Sequence, residues 1–499
     1  MGVEVIENTV FPFDNSYAQL PERFFAALPP SPVRQPRLIR LNEQLAEQLG
    51  LDPKALQGQG GIDVLAGNRV PEGAEPLAMA YAGFQFGSWV PQLGDGRAIL
   101  LGEIVDKLGI RRDIQLKGAG RTPFSRMGDG RAGLGPVLRE YTISEAMWAL
   151  GIPTTRSLAA VFTGEQVRRE TMLPGAVLTR VAASHVRVGT FQYFAARRDV
   201  EALGLLAGYV LDRHFPAIAS STEPYLALLA DVIDQQASLI ADWQLIGFIH
   251  GVMNTDNMSI AGETIDYGPC AFMDVFHPET VYSSIDRMGR YAYCNQPAIA
   301  HWNLAGFAQT LLPLLATDEN DMVSEVTDLV NTFPKRYQEF YRSRLCRKIG
   351  LVETIKGDDD LAQNLLSYMT EGRADFTLTF RRLCDLKSVA TEADESFCKL
   401  FDDRSEISDW ISRWRERLSR EDRSDRDRTA DMCRVNPLFI PRNHLVEKVI
   451  RAAEDDEDLE PFNKLIDVLI APYEDRQGRE SYVNPPSAEE VVKETFCGT

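Results

Sequence analysis

His250-Gly-Val-Met-Asn-Thr-Asp-Asn257, followed by Ile265-Asp-Tyr-Gly268, has the spacing of a kinase catalytic loop and its metal-binding aspartate, with one acid displaced. Kinase-type phosphotransferases place an Asp two residues after the loop His, an Asn five residues beyond that Asp, and then an Asp-x-Gly that binds Mg²⁺. Asn257 occupies the Asn slot and Asp266-Tyr-Gly268 the Asp-x-Gly slot. The proton-accepting slot holds Val252, which has no group to take a proton. A different carboxylate, Asp256, stands beside Asn257. The chain thus keeps the means of binding a Mg-nucleotide and lacks the usual base. Either it is inactive, or it performs different chemistry on the same nucleotide.

Around this loop the spacing predicts a hairpin. Met258-Ser-Ile260 and Thr264-Ile-Asp266 flank a turn at Ala-Gly-Glu, so Asn257 and Asp266 would meet at the open end and share one Mg²⁺. The competing reading is that Asn and Asp only form Asx-turns beside the hairpin. His250 is expected to pack and hydrogen-bond the loop rather than to act in chemistry. Lys117 ends the strand Asp113-Ile-Gln-Leu116, where a kinase places the lysine that neutralises phosphates. Its helix partner is Glu140 or Glu145. Two glycine turns, Leu93-Gly94-Asp-Gly96-Arg97 and Met127-Gly-Asp129-Gly130, would let backbone N–H groups approach phosphate oxygens. The same dipeptides also make ordinary hairpin turns. Arg180 and Arg187 supply planar guanidinium forks suited to phosphate.

The expected fold class is α+β: a protein-kinase-like two-lobed fold, strand-rich N-lobe and helical C-lobe, with N- and C-terminal extensions. Residues 1–75 read as an irregular arm with a short helix, Arg40 to Leu51, packing on the core. Residues 76–200 read as the nucleotide-binding lobe, with strands at 98–101, 113–116 and 176–179 and a helix over 136–150. Residues 201–400 read as helical, with helices at 202–214, 225–246, 302–315 and 321–345. Residues 401–499 form a helical extension and tail, in which the charge-mixed stretch 402–431 is a solvated helix face plus loop.

Composition narrows the function classes. The 499 residues are 44% hydrophobic and 25% charged, as in ordinary globular proteins. The longest apolar run, Leu203 to Leu211, is broken by Gly204 and Gly208 and falls short of the ~20 residues a membrane helix needs. The acidic start, Met1 to Asn8, reads as neither secretory signal nor transit peptide, and Met1-Gly2 lacks the context for myristoylation. A net charge of −19 argues against nucleic acid as a partner, so an anionic nucleotide must be held by a few local cations. Seven cysteines without a Cys-x-x-Cys exclude an ordinary structural zinc site and a dense disulfide framework, which points to the cytoplasm or another reducing compartment.

The chain resembles the selenoprotein O family, protein-kinase-like enzymes that transfer AMP rather than phosphate. The resemblance runs nearly end to end through Asn15-Ser-Tyr-Ala-Gln-Leu-Pro-Glu-Arg23, Pro91-Gln-Leu-Gly-Asp-Gly-Arg-Ala98, Lys117-Gly-Ala-Gly-Arg-Thr-Pro-Phe-Ser-Arg126 and Leu138-Arg-Glu-Tyr141. It continues through the catalytic-loop stretch, Asp266-Tyr-Gly-Pro269 and Asn436-Pro-Leu-Phe-Ile-Pro-Arg-Asn-His444. The resemblance implies that ATP binds in reverse of its kinase orientation, so that the α-phosphate faces a protein hydroxyl and pyrophosphate leaves. It implies that Lys117, Arg180 and Arg187 contact phosphates, that Gly94, Gly96, Arg97, Asp129 and Gly130 line the nucleotide, and that Glu140 holds Lys117. It further implies that Asn257 and Asp266 bind Mg²⁺ or Mn²⁺, Asp266 also facing the nucleotide, and that Asp256 is the proton acceptor.

There are two departures. Phe84 stands where the family is expected to carry His. Cys497 stands where members carry selenocysteine or cysteine, but the partner thiol expected after Asp-Tyr-Gly is missing around Tyr282. Cys270 or Cys294 replaces that thiol only if the fold brings one of them to the C-terminus.

The leading expectation is a protein adenylyltransferase acting on Ser, Thr or Tyr hydroxyls, its own included, with UMP transfer from UTP also open. A monomer needing ATP and protein substrates, and no membrane, is the expected state. The alternatives are a small-molecule or protein phosphotransferase, against which Val252 counts, and a non-catalytic nucleotide-sensing pseudokinase scaffold.

Overall fold

In the computed structural model, which describes residues 11–315 and 319–496, the chain is a mixed α/β protein built on one large antiparallel sheet. The strands in chain order are β1 (Phe25–Ala27), β2 (Arg37–Leu41), β3 (Leu77–Met79), β4 (Gly83–Gln85), β5 (Ser88–Val90) and β6 (Ala98–Val105). They continue with β7 (Arg111–Lys117), β8 (Ala132–Gly133), β9 (Arg156–Arg168), β10 (Met172–Ala182), β11 (Phe248–Ile249) and β12 (Ala271–Phe272). The main sheet runs β1-β3-β6-β7-β10-β9-β2, with β8 paired to β10, while β4-β5 and β11-β12 are separate two-stranded pairs.

The N-terminal segment is not the irregular arm the sequence suggests. Its β1 pairs with β3 and its β2 with β9, so it closes both edges of the sheet. Strands of three and five residues, Phe-Ala-Ala and Arg-Leu-Ile-Arg-Leu, are too short to show an alternation, and their pairing partners lie at 77–79 and 159–162. Between them and β3, Asn42 caps the helix Glu43–Gln48 through its side chain, and Asp52 followed by Pro53 starts the next. These helices cover one face of the sheet, where Ile99, Leu101, Ile114, Leu116 and Val177 are buried.

The other face receives the helix Leu134–Ala149, which is buried on nearly every side. It lies between the sheet and the C-terminal helices Asn443–Asp456 and Glu460–Leu469, with Tyr141 edge-on to Phe462 at 5.6 Å. These two C-terminal helices therefore pack back onto the helix that covers the sheet. The expected helices over 202–214 and 225–246 form as Val200–His214 and Pro224–Leu245. The one expected over 302–315 starts earlier, at Gln296, and becomes a 3-10 turn after Leu311. The one expected over 321–345 is two helices, Glu319–Val330 and Phe333–Lys348, parted where Pro334 removes an N–H donor. The charge-mixed stretch forms the helix Ser405–Leu418, a loop and the start of the helix Asp425–Val435; the first helix exposes Glu406, Asp409 and Arg413 and buries Ile407, Trp410, Ile411 and Trp414 on its inner face.

Candidate active site

Lys117 ends the interior strand β7, directly opposite Ala98 of β6 and Leu178 of β10. Two residues back, on the same face, Gln115 is opposite Arg180. Sheet register thus brings Lys117 and Arg180 together, although they lie 63 positions apart in sequence. The helix Leu134–Ala149 crosses this face and delivers Glu140 to both.

Lys117 Nζ lies 2.6 Å from Glu140 Oε2 and 2.8 Å from Asp266 Oδ1. Arg180 Nη2 lies 2.6 Å from Glu140 Oε1 and 2.6 Å from Asp266 Oδ1. Arg187 Nη1 is 3.3 Å from Asp266 Oδ2 and donates to the Asp256 carbonyl at 3.0 Å, its guanidinium lying over the Tyr81 ring. Three cations here face two carboxylates. Burial on its own would raise Asp266, but Lys117, Arg180 and Arg187 hold its carboxyl well below the usual range. The same contest lowers Glu140, through Arg180 and then Lys117. Glu145, the other acid open to Lys117 in the sequence, instead clamps Arg156 at 2.9 and 2.7 Å.

The predicted hairpin between Met258 and Asp266 does not form. The turn is present, Gly262 N donating to Ser259 O at 3.3 Å, but each flank pairs elsewhere. Met258 and Ile260 bond to Val188 and Val186, and Thr264 to Pro153 and Thr155. A short two-stranded ribbon is marginal, and both flanks find better backbone partners beside the sheet. Asn257 and Asp266 nevertheless line one cleft of roughly 430 Å³. Asp266 has φ +65°, a left-handed conformation that Asp tolerates better than most residues.

In the catalytic loop His250 is fully buried; its Nε2 lies 2.9 Å from Ile265 O, while its backbone N–H donates to Gln296. Burial lowers its pKa, so the ring is a neutral structural prop. Asn257 Nδ2 donates to Val252 O at 2.9 Å, which commits the amide nitrogen and leaves the amide oxygen for a cation. Asp256 is 7% exposed, and its Oδ1 has no hydrogen-bond partner among the described residues. Burial pushes its carboxyl up to about 6, against the pull of Arg187.

Gly94, Gly96, Arg97, Asp129 and Gly130 line the same cleft. A Cβ on Gly94 (φ +89°) would stand 2.3 Å from the Phe124 ring, and one on Gly130 (φ +71°) 2.2 Å from the Gly120 backbone. Only glycine lets these two turns approach so closely. Asp129 is bound to Arg169, at 2.8 Å, rather than turned free into the cleft. Arg97 lines the cleft and has no carboxylate partner among the described residues, so its charge is available there.

Sequence reasoning missed Asp95, Tyr81, Gln85 and Arg169. Asp95 is buried and accepts from Met79 N and Gln115 Nε2, both at 3.2 Å, with Arg187 at 4.0 Å. An acid between two glycines was visible in the chain; its inward orientation was not. Phe84 sits between Trp89 and Trp302, at 4.9 and 5.1 Å between ring centres. Cys497 and Met1-Gly2 lie outside the described residues. The tail before Cys497 does reach the loop after Asp266: Thr495 N donates to Tyr282 O at 2.7 Å and Thr495 Oγ1 to Pro269 O at 2.6 Å, beside buried Cys270.

The donor set suits a hard divalent ion that arrives with phosphate. Among the described residues no three His, Cys, Asp or Glu side chains form a metal cage. An amide oxygen at Asn257 and a carboxylate at Asp266 are what Mg²⁺ or Mn²⁺ needs when phosphate oxygens and water fill the other positions.

Comparison with known proteins bears on the whole chain. Residues 8–487 match the family model described as protein adenylyltransferase SelO. A protein nucleotidyltransferase YdiU of Bradyrhizobium sp. (strain ORS 278) is 59% identical over 490 residues, 98% of this chain and 99% of the relative. Another of that name, from Rhodopseudomonas palustris (strain BisB5), is 60% identical over 489 residues, with the same coverage. Agreement of that extent, across sheet, cleft and C-terminal helices alike, leaves one assignment: the chain belongs to the SelO family.

Proposed function

We propose that this chain is a protein adenylyltransferase: it moves AMP from ATP to a Ser, Thr or Tyr hydroxyl, its own included, and releases pyrophosphate. The observation that carries the reading is Asp256, a buried carboxylate beside Asn257 with one oxygen unpartnered among the described residues, in a loop where Val252 fills the kinase base slot. The names of the family and of its relatives, adenylyl- and nucleotidyltransferases, support the same chemistry.

In this reading the sheet-rich residues 76–200, with the arm 1–75, form one kinase-like lobe and the helical residues 201–400 the other, and 401–499 brace both. Lys117, Arg180, Arg187 and Arg97 hold the phosphates. Glu140 keeps Lys117 and Arg180 in place. Gly94, Gly96, Asp129 and Gly130 shape the nucleotide wall. Asp256 accepts the proton of the incoming hydroxyl as its oxygen bonds to the α-phosphorus and the bond to pyrophosphate breaks. Asn257 and Asp266 would hold Mg²⁺ or Mn²⁺, which when bound offsets phosphate charge. No helix among the described residues is long and apolar enough to cross a membrane. In this reading the enzyme is a cytoplasmic monomer.

The test is label transfer from ATP carrying the label at the α- or the γ-phosphate. Protein-bound α-label supports this reading. Transfer of γ-label would make the chain a kinase, and no transfer would leave a nucleotide-binding scaffold.

A further inference from the structure

The hairpin β4–β5 stands over the catalytic loop and touches it residue by residue. Phe84 N donates to Thr255 Oγ1 at 2.8 Å, Gln85 Nε2 reaches Asp256 Oδ2 at 3.5 Å, and Phe86 N donates to Asn254 Oδ1 at 3.0 Å. Three consecutive hairpin residues thus engage three consecutive loop residues. On the other side of Asn254, Tyr291 OH donates to the same Oδ1 at 2.6 Å, and the Tyr291 ring meets Phe86 edge-on at 5.1 Å.

The approach is close. A Cβ on Gly83 would stand 2.7 Å from Asp256 Oδ1, 3.1 Å from Thr255 Oγ1 and 3.2 Å from Asp256 Cβ. From below, a Cβ on Gly189 would stand 3.3 Å from Asp256 Cα and 2.2 Å from Ala82 O, and Ala82 N donates to Gly189 O at 2.9 Å. Asp256 therefore lies in a slot one glycine wide on each side.

The hairpin also holds a conformation that its own sequence disfavours. Its turn residues Phe86 and Gly87 have φ +52° and +82°, the pattern of a type I′ turn. For a bulky residue such as Phe86 that conformation is disfavoured by the contact of Cβ with the following carbonyl oxygen. It persists because it aims the Phe86 N–H at Asn254, and such outliers cluster where geometry serves a site.

We infer that the β4–β5 hairpin, through Gly83, Phe84 and Phe86, is the positioning element of Asp256: it fixes the carboxylate for the incoming hydroxyl without touching the nucleotide phosphates. The inference rests on the reading of Asp256 as proton acceptor. Thr255 is a positioning residue, since it acts through the loop and its hydroxyl is occupied by Phe84 N.

Three variants and one exchange measurement test this. Thr255→Val keeps the side-chain volume and removes the acceptor of Phe84 N; Thr255→Ser keeps the acceptor; Gly83→Ala intrudes on Asp256. A displacement near 1 Å can cost ~10²-fold in rate. Thr255→Val and Gly83→Ala are accordingly expected to lower kcat for AMP transfer by ~30-fold or more, with KM for ATP within ~3-fold, and Thr255→Ser to stay near wild type. Amide hydrogen exchange without nucleotide is expected to show Phe84 and Phe86 protected in the wild type, with protection lost in Thr255→Val while the β7 amides are unchanged. Wild-type-like turnover in both Thr255→Val and Gly83→Ala overturns the inference, as does a parallel fall in kcat and ATP affinity, or fast exchange at Phe84 and Phe86 in the wild type. If the wild type transfers no α-label, the adenylyltransferase reading fails, and the exchange data still decide whether the hairpin holds the loop.

Discussion

Replacing Asp266 with Asn tests the centre of the site. Asn rather than Ala is the informative change, because Asp266 has φ +65°, which Asn adopts readily and Ala does not. The variant keeps shape and backbone and removes one negative charge, so Lys117 and Arg180 are left against Glu140, and Arg187 against the more distant Asp95 at 4.0 Å. Breaking one partner out of a fully buried ion pair costs ~3–5 kcal/mol, whereas exposed pairs contribute ~0–1 kcal/mol. The Asp266 side chain is 24% exposed, open to the cleft but enclosed by three cations, which sets the expected loss nearer 2–3 kcal/mol. Two assays read the consequences. Urea unfolding followed by tryptophan fluorescence should show a lower midpoint with unchanged slope. Calorimetric titration of ATP with and without Mg²⁺ should show that the metal no longer strengthens binding, while metal-free ATP binds at least as well as to the wild type, because the site has gained net positive charge. A variant that unfolds like the wild type, or whose ATP affinity still responds fully to Mg²⁺, would refute the assignment of Asp266 as both keystone of the cluster and metal ligand.

Lys117→Ala removes a preorganised charge from the place where pyrophosphate charge develops, and transfer should fall ~10²-fold or more, a loss of ~3 kcal/mol of transition-state stabilisation; unchanged turnover would mark Lys117 as a bystander. Asp256→Asn should lower transfer ~10²–10⁴-fold while ATP affinity, read by titration, stays close to wild type. Val252→Asp should not rescue it, and rescue accompanied by γ-phosphate transfer would mean that ATP binds as in kinases. Far from the cleft, Lys348 is buried against Phe380 without a carboxylate partner among the described residues, and burial lowers its amine to about 7 from 10.5. A depressed lysine makes the folded state bind fewer protons than the unfolded one, so its cost is fully present below pH 7, fades as pH rises, and is gone above 10.5. Lys348→Met should therefore stabilise the protein by a few kcal/mol at neutral pH, with the gain shrinking toward pH 10 in urea titrations; a pH-independent difference would contradict the buried, uncompensated amine.

Much of the site was legible because its key groups sit in short contiguous segments. Asn257 and Asp266 belong to one loop, where spacing pointed to them, and Gly94, Gly96 and Arg97 to another, which the family resemblance singled out. The helix Leu134–Ala149 and its carboxylates were visible too, but not the choice between them. Glu140 and Glu145 are five apart, on different sides of the helix, and the sheet register that puts Arg180 beside Lys117 is what selects Glu140. Strand β9, thirteen residues long, was not foreseen at all: buried at Ser157 and Thr163 as fully as at Leu158 and Val161, it lacks the polar–apolar alternation that marks a half-exposed strand.

By itself the sequence put forward the candidate chemistry: an Asn257–Asp266 pair proposed for a metal, cations proposed for phosphate, glycine turns, and a carboxylate beside an empty kinase base slot. These depend on residue types at fixed short spacings, which the chain carries locally. Tertiary structure alone decided how those groups are held. It closed both sheet edges with the N-terminal segment, turned Asp95 inward toward Arg187, paired each flank of the loop 258–266 elsewhere, and set the β4–β5 hairpin over Asp256. Each of these is a contact between segments far apart in the chain. Such contacts form only when register and packing bring polar groups close enough to satisfy one another.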